Sequence, residues 1–157
     1  MDHAPKDDAP TNSQRRGLLR RLAAASALLG TGAVSANTGA KPHHVVYHIS
    51  DTARAIPAIR NITNHLKARP DTRIVVVALG RGIDFLLSGN ADEHGNSYDA
   101  LVDTLMFKGV EFRVCNNTLE ARQIGRDRVL PDVRIVESGV AELARLQIEE
   151  ACAYIKP

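Results

Sequence analysis

From residue 43 onward the chain alternates short apolar runs with stretches in which apolar residues recur every three or four positions. Val45-Val46-Tyr47-His48-Ile49 predicts a first strand, followed by Ser50-Asp51-Thr52 as N-cap oxygens. Ile56, Ile59, Ile62 and Leu66 then have helical spacing until Arg69-Pro70. Ile74 to Leu79 is apolar without alternation and mostly β-branched, which suits a central strand covered on both faces, and it ends at Gly80-Arg81-Gly82. A second apolar run, Ile83 to Leu87, stops at Ser88-Gly89-Asn90, and Ala91 to Ser97 reads as an exposed loop. Tyr98, Leu101, Val102, Leu105 and Met106 give a second helical stripe. Val110 to Val114 alternates as a strand with one more polar face and delivers Cys115 at its carboxyl end. Leu119 to Ile124 predicts a short helix, Val133 to Val136 a strand, Val140 to Glu150 an amphipathic helix and Ala153 to Ile155 a last strand. Strands alternating with helices imply one three-layer α/β domain, with a mostly parallel sheet of about five strands.

The 157 residues are 44% hydrophobic and 24% charged, an ordinary globular composition. Aromatic residues make up only 4% and Trp is absent, which leaves little material for a base-stacking surface. The net charge of +2 comes entirely from the first 36 residues; beyond them, fifteen bases meet fifteen acids. A near-neutral domain gives no electrostatic case for a nucleic-acid or anionic-membrane partner, leaving small molecules and proteins.

Those first residues have a character of their own. Ser13-Gln14-Arg15-Arg16-Gly17-Leu18-Leu19-Arg20 resembles a twin-arginine export motif. A weakly apolar stretch, Leu22 to Val34, follows it, and Val34-Ser35-Ala36 offers small residues to a signal peptidase. Residues 1–36 are therefore expected to be a cleaved signal peptide and residues 37–157 the working domain. The expected compartment is the periplasm, with no membrane attachment after cleavage. That compartment is oxidising, so the two cysteines need an explanation.

In a parallel α/β sheet, catalytic and binding groups gather where strands end and helices begin. Cys115 stands at such a junction, and Asn116, Asn117 and Thr118 are candidates for stabilising its thiolate with backbone and side-chain donors. The same sheet edge should receive Asp51 after the first strand and Gly80, Arg81 and Gly82 after the second. Arg81 could supply a positive charge. The glycines could equally serve only to turn the chain, and Cys115 could be a small buried hydrophobe. Pairing of Cys115 with Cys152 is disfavoured, because one closes a strand and the other precedes one, which places them on opposite sheet edges. Neither a metal nor a cofactor is called for: His43 and His44 read as a polar strand start, His48 lacks a third ligand nearby, and His65 is expected on a helix surface. Asp99, Asp103, Glu149 and Glu150 read as solvated helix faces. No G-x-S-x-G elbow or phosphate-binding glycine pattern is present.

The segment Gly109-Val110-Glu111-Phe112-Arg113-Val114-Cys115-Asn116-Asn117-Thr118-Leu119 resembles the cysteine segment of the DsrE-like sulfur-relay family. Val45 to Asp51, Val75 to Gly82 and Ser138-Gly139-Val140-Ala141-Glu142-Leu143 through the carboxyl end are similar as well. The resemblance implies a five-stranded α/β fold assembled as a trimer or hexamer, with Cys115 carrying persulfide sulfur between a donor and an acceptor protein. The competing expectation is a non-catalytic oligomeric binding or scaffold protein in which Cys115 only packs.

Overall fold

A computed structural model describes residues 43–157; the expected signal peptide lies outside them. The chain runs through β1 (His44–Ile49), a 3-10 turn (Thr52–Arg54), α1 (Ala55–Ala68), β2 (Arg73–Ala78) and a 3-10 segment (Gly80–Leu86). It continues through α2 (Tyr98–Phe107), β3 (Glu111–Cys115), α3 (Asn116–Ala121), a 3-10 turn (Arg126–Arg128), β4 (Arg134–Val136), α4 (Gly139–Glu149) and β5 (Ala153–Ile155). The five strands form one sheet in the order β4-β3-β2-β1-β5, and every neighbouring pair is parallel. The expected α/β sheet is thus present.

Connection handedness distributes the helices. From β1 to β4 the chain steps across the sheet in one direction, so right-handed crossovers place α1, α2 and α3 on one face; the return from β4 to β5 places α4 on the other. The two cores follow. On the first face Val45, Tyr47 and Ile49 of β1, Ile74 and Val76 of β2, and Phe112 and Val114 of β3 meet Ala58 and Ile62 of α1 and Val102 and Leu105 of α2. On the second, Val46, Val75 and Val77 meet Leu143 and Leu146 of α4 together with Cys152. β2 lacks alternation because both its faces are covered, and each such Val, Ile or Leu contributes about 1.5–3 kcal/mol through burial.

Three N-caps lie where the sequence places side-chain oxygens. Asp51 Oδ1 accepts from the Ala53 N–H (3.0 Å), Ser97 Oγ from the Asp99 N–H (3.2 Å) and Ser138 Oγ from the Ala141 N–H (3.4 Å). Two features matter for the site. The apolar run after Gly82, which the sequence leaves unassigned, is a 3-10 segment with Ile83, Phe85 and Leu86 buried; Phe85 meets Tyr98 and Phe112 edge-on, with ring centroids 6.2 Å apart in both pairs. In addition, α3 begins at Asn116, three residues before the expected start, so Cys115 directly abuts a helix.

The histidines are occupied locally. His44 Nδ1 lies 3.2 Å from the Glu150 carbonyl oxygen and His48 Nδ1 lies 2.7 Å from the Tyr154 hydroxyl. His65, expected on the surface, is half-buried, with its Nδ1 3.1 Å from the Tyr47 hydroxyl. Among the described residues no three His, Cys, Asp or Glu side chains are grouped to hold a metal, and no helix is long and apolar enough to cross a membrane.

Candidate functional site

Cys115 ends β3, and only 6% of it is exposed. Alternation along β3 turns Glu111, Arg113 and Cys115 toward α4, while Phe112 and Val114 enter the larger core. The sulfur therefore lies between the starts of two helices, α3 directly after it and α4 above it.

Gly139 packs against Cys115 Cβ, and the donors that act on the thiol are the backbone N–H groups of Gly139, Thr118 and Asn117 and the hydroxyl of Thr118. Burial pushes the thiol up, but these hydrogen bonds outweigh it and leave Cys115 below the ordinary cysteine value. Cys152 is the internal contrast. Burial pushes its thiol up and the Glu150 carboxylate adds to the rise. Both cysteines are free, in accord with their positions on opposite edges of a parallel sheet.

Thr118 is fixed from the far side. The Gly80 N–H donates to its Oγ1 (3.1 Å), leaving the hydroxyl proton for the sulfur. Gly80 adopts the left-handed conformation (φ +58°), and its carbonyl accepts from Arg122 Nη1 (3.3 Å), which also pairs with Asp84 (2.6 Å). Thr52 closes this bracket by donating to the Arg81 carbonyl (2.6 Å). The Gly80–Gly82 turn thus supports the site through its backbone.

The remaining sequence candidates divide in the same way. Asn117 contributes its N–H, which also donates to the Glu137 carbonyl (3.2 Å). Asn116 is buried, but its carboxamide is engaged elsewhere, donating to Glu120 and accepting from Arg126, each at 2.7 Å. It holds α3 against the following loop. The Arg81 side chain is exposed and makes no ion pair among the described residues. Asp51 caps the turn after β1. Gly82 packs backbone on backbone: a Cβ there would stand 2.3 Å from the Ile49 carbonyl oxygen.

Sequence reasoning missed Gly139. A Cβ at this position would lie 3.1 Å from Cys115 Cβ and 3.1 Å from Leu79 Cδ2, so only glycine lets the first N–H of α4 come down onto the sulfur. The signal was the pair Ser138-Gly139, a cap followed by a residue of poor helix propensity at a strand-to-helix junction.

Comparison with known proteins assigns the lineage. The model of the DsrE/DsrF-like family matches residues 9–157, nearly the whole chain. The chain belongs to the DsrE/DsrF-like family. Among solved structures, MTH1491 from Methanobacterium thermoautotrophicum, described as a protein of unknown function, is 34% identical with a TM-score of 0.66, over 73% of this chain and 99% of that one. The ychN protein from E. coli shares the fold at 13% identity, with a TM-score of 0.62 and the same coverage of both chains. A search of curated proteins returned no match. Membership in the DsrE/DsrF-like family agrees with the parallel five-stranded sheet and with a general sulfur-relay or redox role.

Proposed function

We propose that this DsrE/DsrF-like protein is a sulfur carrier in which Cys115 holds sulfane sulfur as a persulfide. The observation that carries the reading is the seat of Cys115 at the end of β3, directly before α3 and against Gly139 at the start of α4, where neighbouring N–H and hydroxyl donors hold its thiol below the ordinary value and favour the anionic, nucleophilic form. In the loading step the Cys115 thiolate attacks the outer sulfur of a donor persulfide, R–S–SH. A new S–S bond forms, the donor's S–S bond breaks, and R–S⁻ leaves with the electron pair, giving Cys115–S–SH. Unloading is the same displacement with an acceptor thiolate attacking the outer sulfur and Cys115 leaving as thiolate. No net oxidation occurs, and the donors that hold the entering thiolate also hold the departing one.

The test is intact-mass measurement after exposure to inorganic polysulfide. The wild-type protein and Cys152→Ser are expected to gain about 32 Da, one sulfur atom, and Cys115→Ser none. A wild-type protein that takes up no sulfur overturns the reading.

The same proposal includes export by the twin-arginine route to the periplasm and assembly as a trimer or hexamer. The motif at Arg15-Arg16 supports the first, and the exposed apolar side chains Phe107, Val140 and Ile148 support the second. Cell fractionation is expected to find a processed, oligomeric form outside the cytoplasm, lost on Arg15→Lys/Arg16→Lys. Cytoplasmic retention of the unaltered chain would remove export from the proposal.

A further inference from the structure

Beneath α4 lies a closed ring of six charges. Arg73 pairs with Glu111 (2.8 Å) and with Glu150, Glu111 with Arg113 (2.7 Å), Arg113 with Glu142, Glu142 with Arg145 (2.9 Å) and Arg145 with Glu150 (2.8 Å). Three guanidinium groups alternate with three carboxylates, so the ring is neutral. Glu150, expected from the sequence to be solvated, is one of its members. Arg113 is its buried centre: 2% of the side chain is exposed, and a fork of two nitrogens spans from Glu111 on its own strand to Glu142 on α4.

Position gives this buried charge a consequence for chemistry. Arg113 is two residues before Cys115 on the same strand face, and Glu142 sits one helical turn after Gly139, its own N–H closing the first turn onto the Ser138 carbonyl (2.9 Å). The Arg113–Glu142 pair therefore ties the first turn of α4 to the strand that ends in the cysteine. Leu143 and Leu146 press α4 onto the sheet, but apolar packing does not fix rotation of the first turn, and Gly139 has no side chain to anchor itself. A directional ion pair supplies that restraint.

We propose that Arg113 and Glu142 are positioning residues for Cys115: their ion pair seats the first turn of α4 so that the Gly139 N–H meets the sulfur, and it thereby governs the reactivity of that thiol. This rests on Cys115 being the reactive thiol of the proposed carrier.

Neutralising Glu142 separates positioning from direct charge effects, because the two act with opposite sign. Removing a carboxylate near a thiol favours thiolate by Coulomb's law, whereas loss of the Gly139 donor disfavours it. The experiment measures the rate of iodoacetamide alkylation of Cys115 against pH, in a Cys152→Ser background, for the parent, Glu142→Ala, Arg113→Met and Arg113→Lys. Glu142→Ala and Arg113→Met are expected to raise the midpoint by about one pH unit, with alkylation at pH 7 slowed several-fold. Arg113→Lys, which keeps the charge and part of the pairing, is expected to fall between them and the parent. Far-UV circular dichroism and urea midpoints check folding; if Glu142→Ala does not fold, Glu142→Gln decides, since it removes the same charge at nearly constant volume and keeps the opposed signs, whereas loss of the Arg113 cation raises the midpoint by either route. An unchanged or lowered midpoint in a folded Glu142→Ala protein, or in folded Glu142→Gln where that variant decides, overturns the proposal. Alkylation does not involve sulfur transfer, so a parent protein that fails to take up polysulfide while these midpoints still rise sinks the carrier reading and leaves the positioning role standing.

Discussion

Gly82→Ala is expected to destabilise the fold by about 3 kcal/mol or more, read as a fall in the urea midpoint with little change in slope. The added methyl would lie 2.3 Å from the Ile49 carbonyl oxygen, 2.6 Å from its carbon and 2.8 Å from the Ser50 nitrogen. All three are backbone atoms at the end of β1, a central strand paired on both sides, so they have no flexible side chain to yield. Relief requires lifting the 3-10 segment away from β1, which drags Ile83, Phe85 and Leu86 out of the larger core. The same shift moves Gly80 and with it the N–H that orients Thr118. A stability within about 0.5 kcal/mol of the parent would show that the close approach is not required.

Gly139→Ala is expected to leave the protein folded but to remove much of the special character of Cys115. Here the added methyl meets Cys115 Cβ and Leu79 Cδ2 at 3.1 Å each and Leu79 Cβ at 3.2 Å, contacts that yield through a few tenths of an ångström of movement. Alanine also favours the helix relative to glycine by roughly 1 kcal/mol, which offsets part of the strain. The movement separates the α4 N–H from the sulfur, and the thiol loses one of the donors that oppose the effect of burial. The sign follows: with a donor lost, the ionisation midpoint rises, the thiolate fraction at pH 7 falls, and alkylation slows several-fold while at pH 10 it approaches the parent rate. Uniform slowing at every pH would indicate blocked access instead.

Much of the architecture is legible in the sequence because it rests on local signals. The unbroken run Ile74 to Ala78 announces a strand covered on both faces, and Asp51, Ser97 and Ser138 mark the starts of helical segments. The 3-10 conformation after Gly80 is not legible because Ile83-Asp84-Phe85-Leu86-Leu87 is too short to carry a period, and contact with β1 selects its conformation. At the site, Cys115, Thr118 and Gly80 are readable from strand ends and turn residues. Gly139 is not, since its use depends on β4 pairing beside β3 with Cys115 opposite Val136, a juxtaposition that one-dimensional spacing does not encode. The ring of charges is obscured for the same reason: Arg73, Glu111, Arg113, Glu142, Arg145 and Glu150 come from β2, β3, α4 and the residue that closes α4, and each alone looks like a surface residue.

The two cysteines lie at opposite ends of the parallel strands, and β3 and β5 are three positions apart in the sheet, about 14 Å across, where a disulfide spans about 7 Å between Cα atoms. The described domain therefore holds no resolving thiol of its own within reach of Cys115. Once that sulfur is oxidised or loaded, only a second molecule can return it to the thiol, so turnover is bimolecular and its rate is set by the concentration and fit of the partner that arrives.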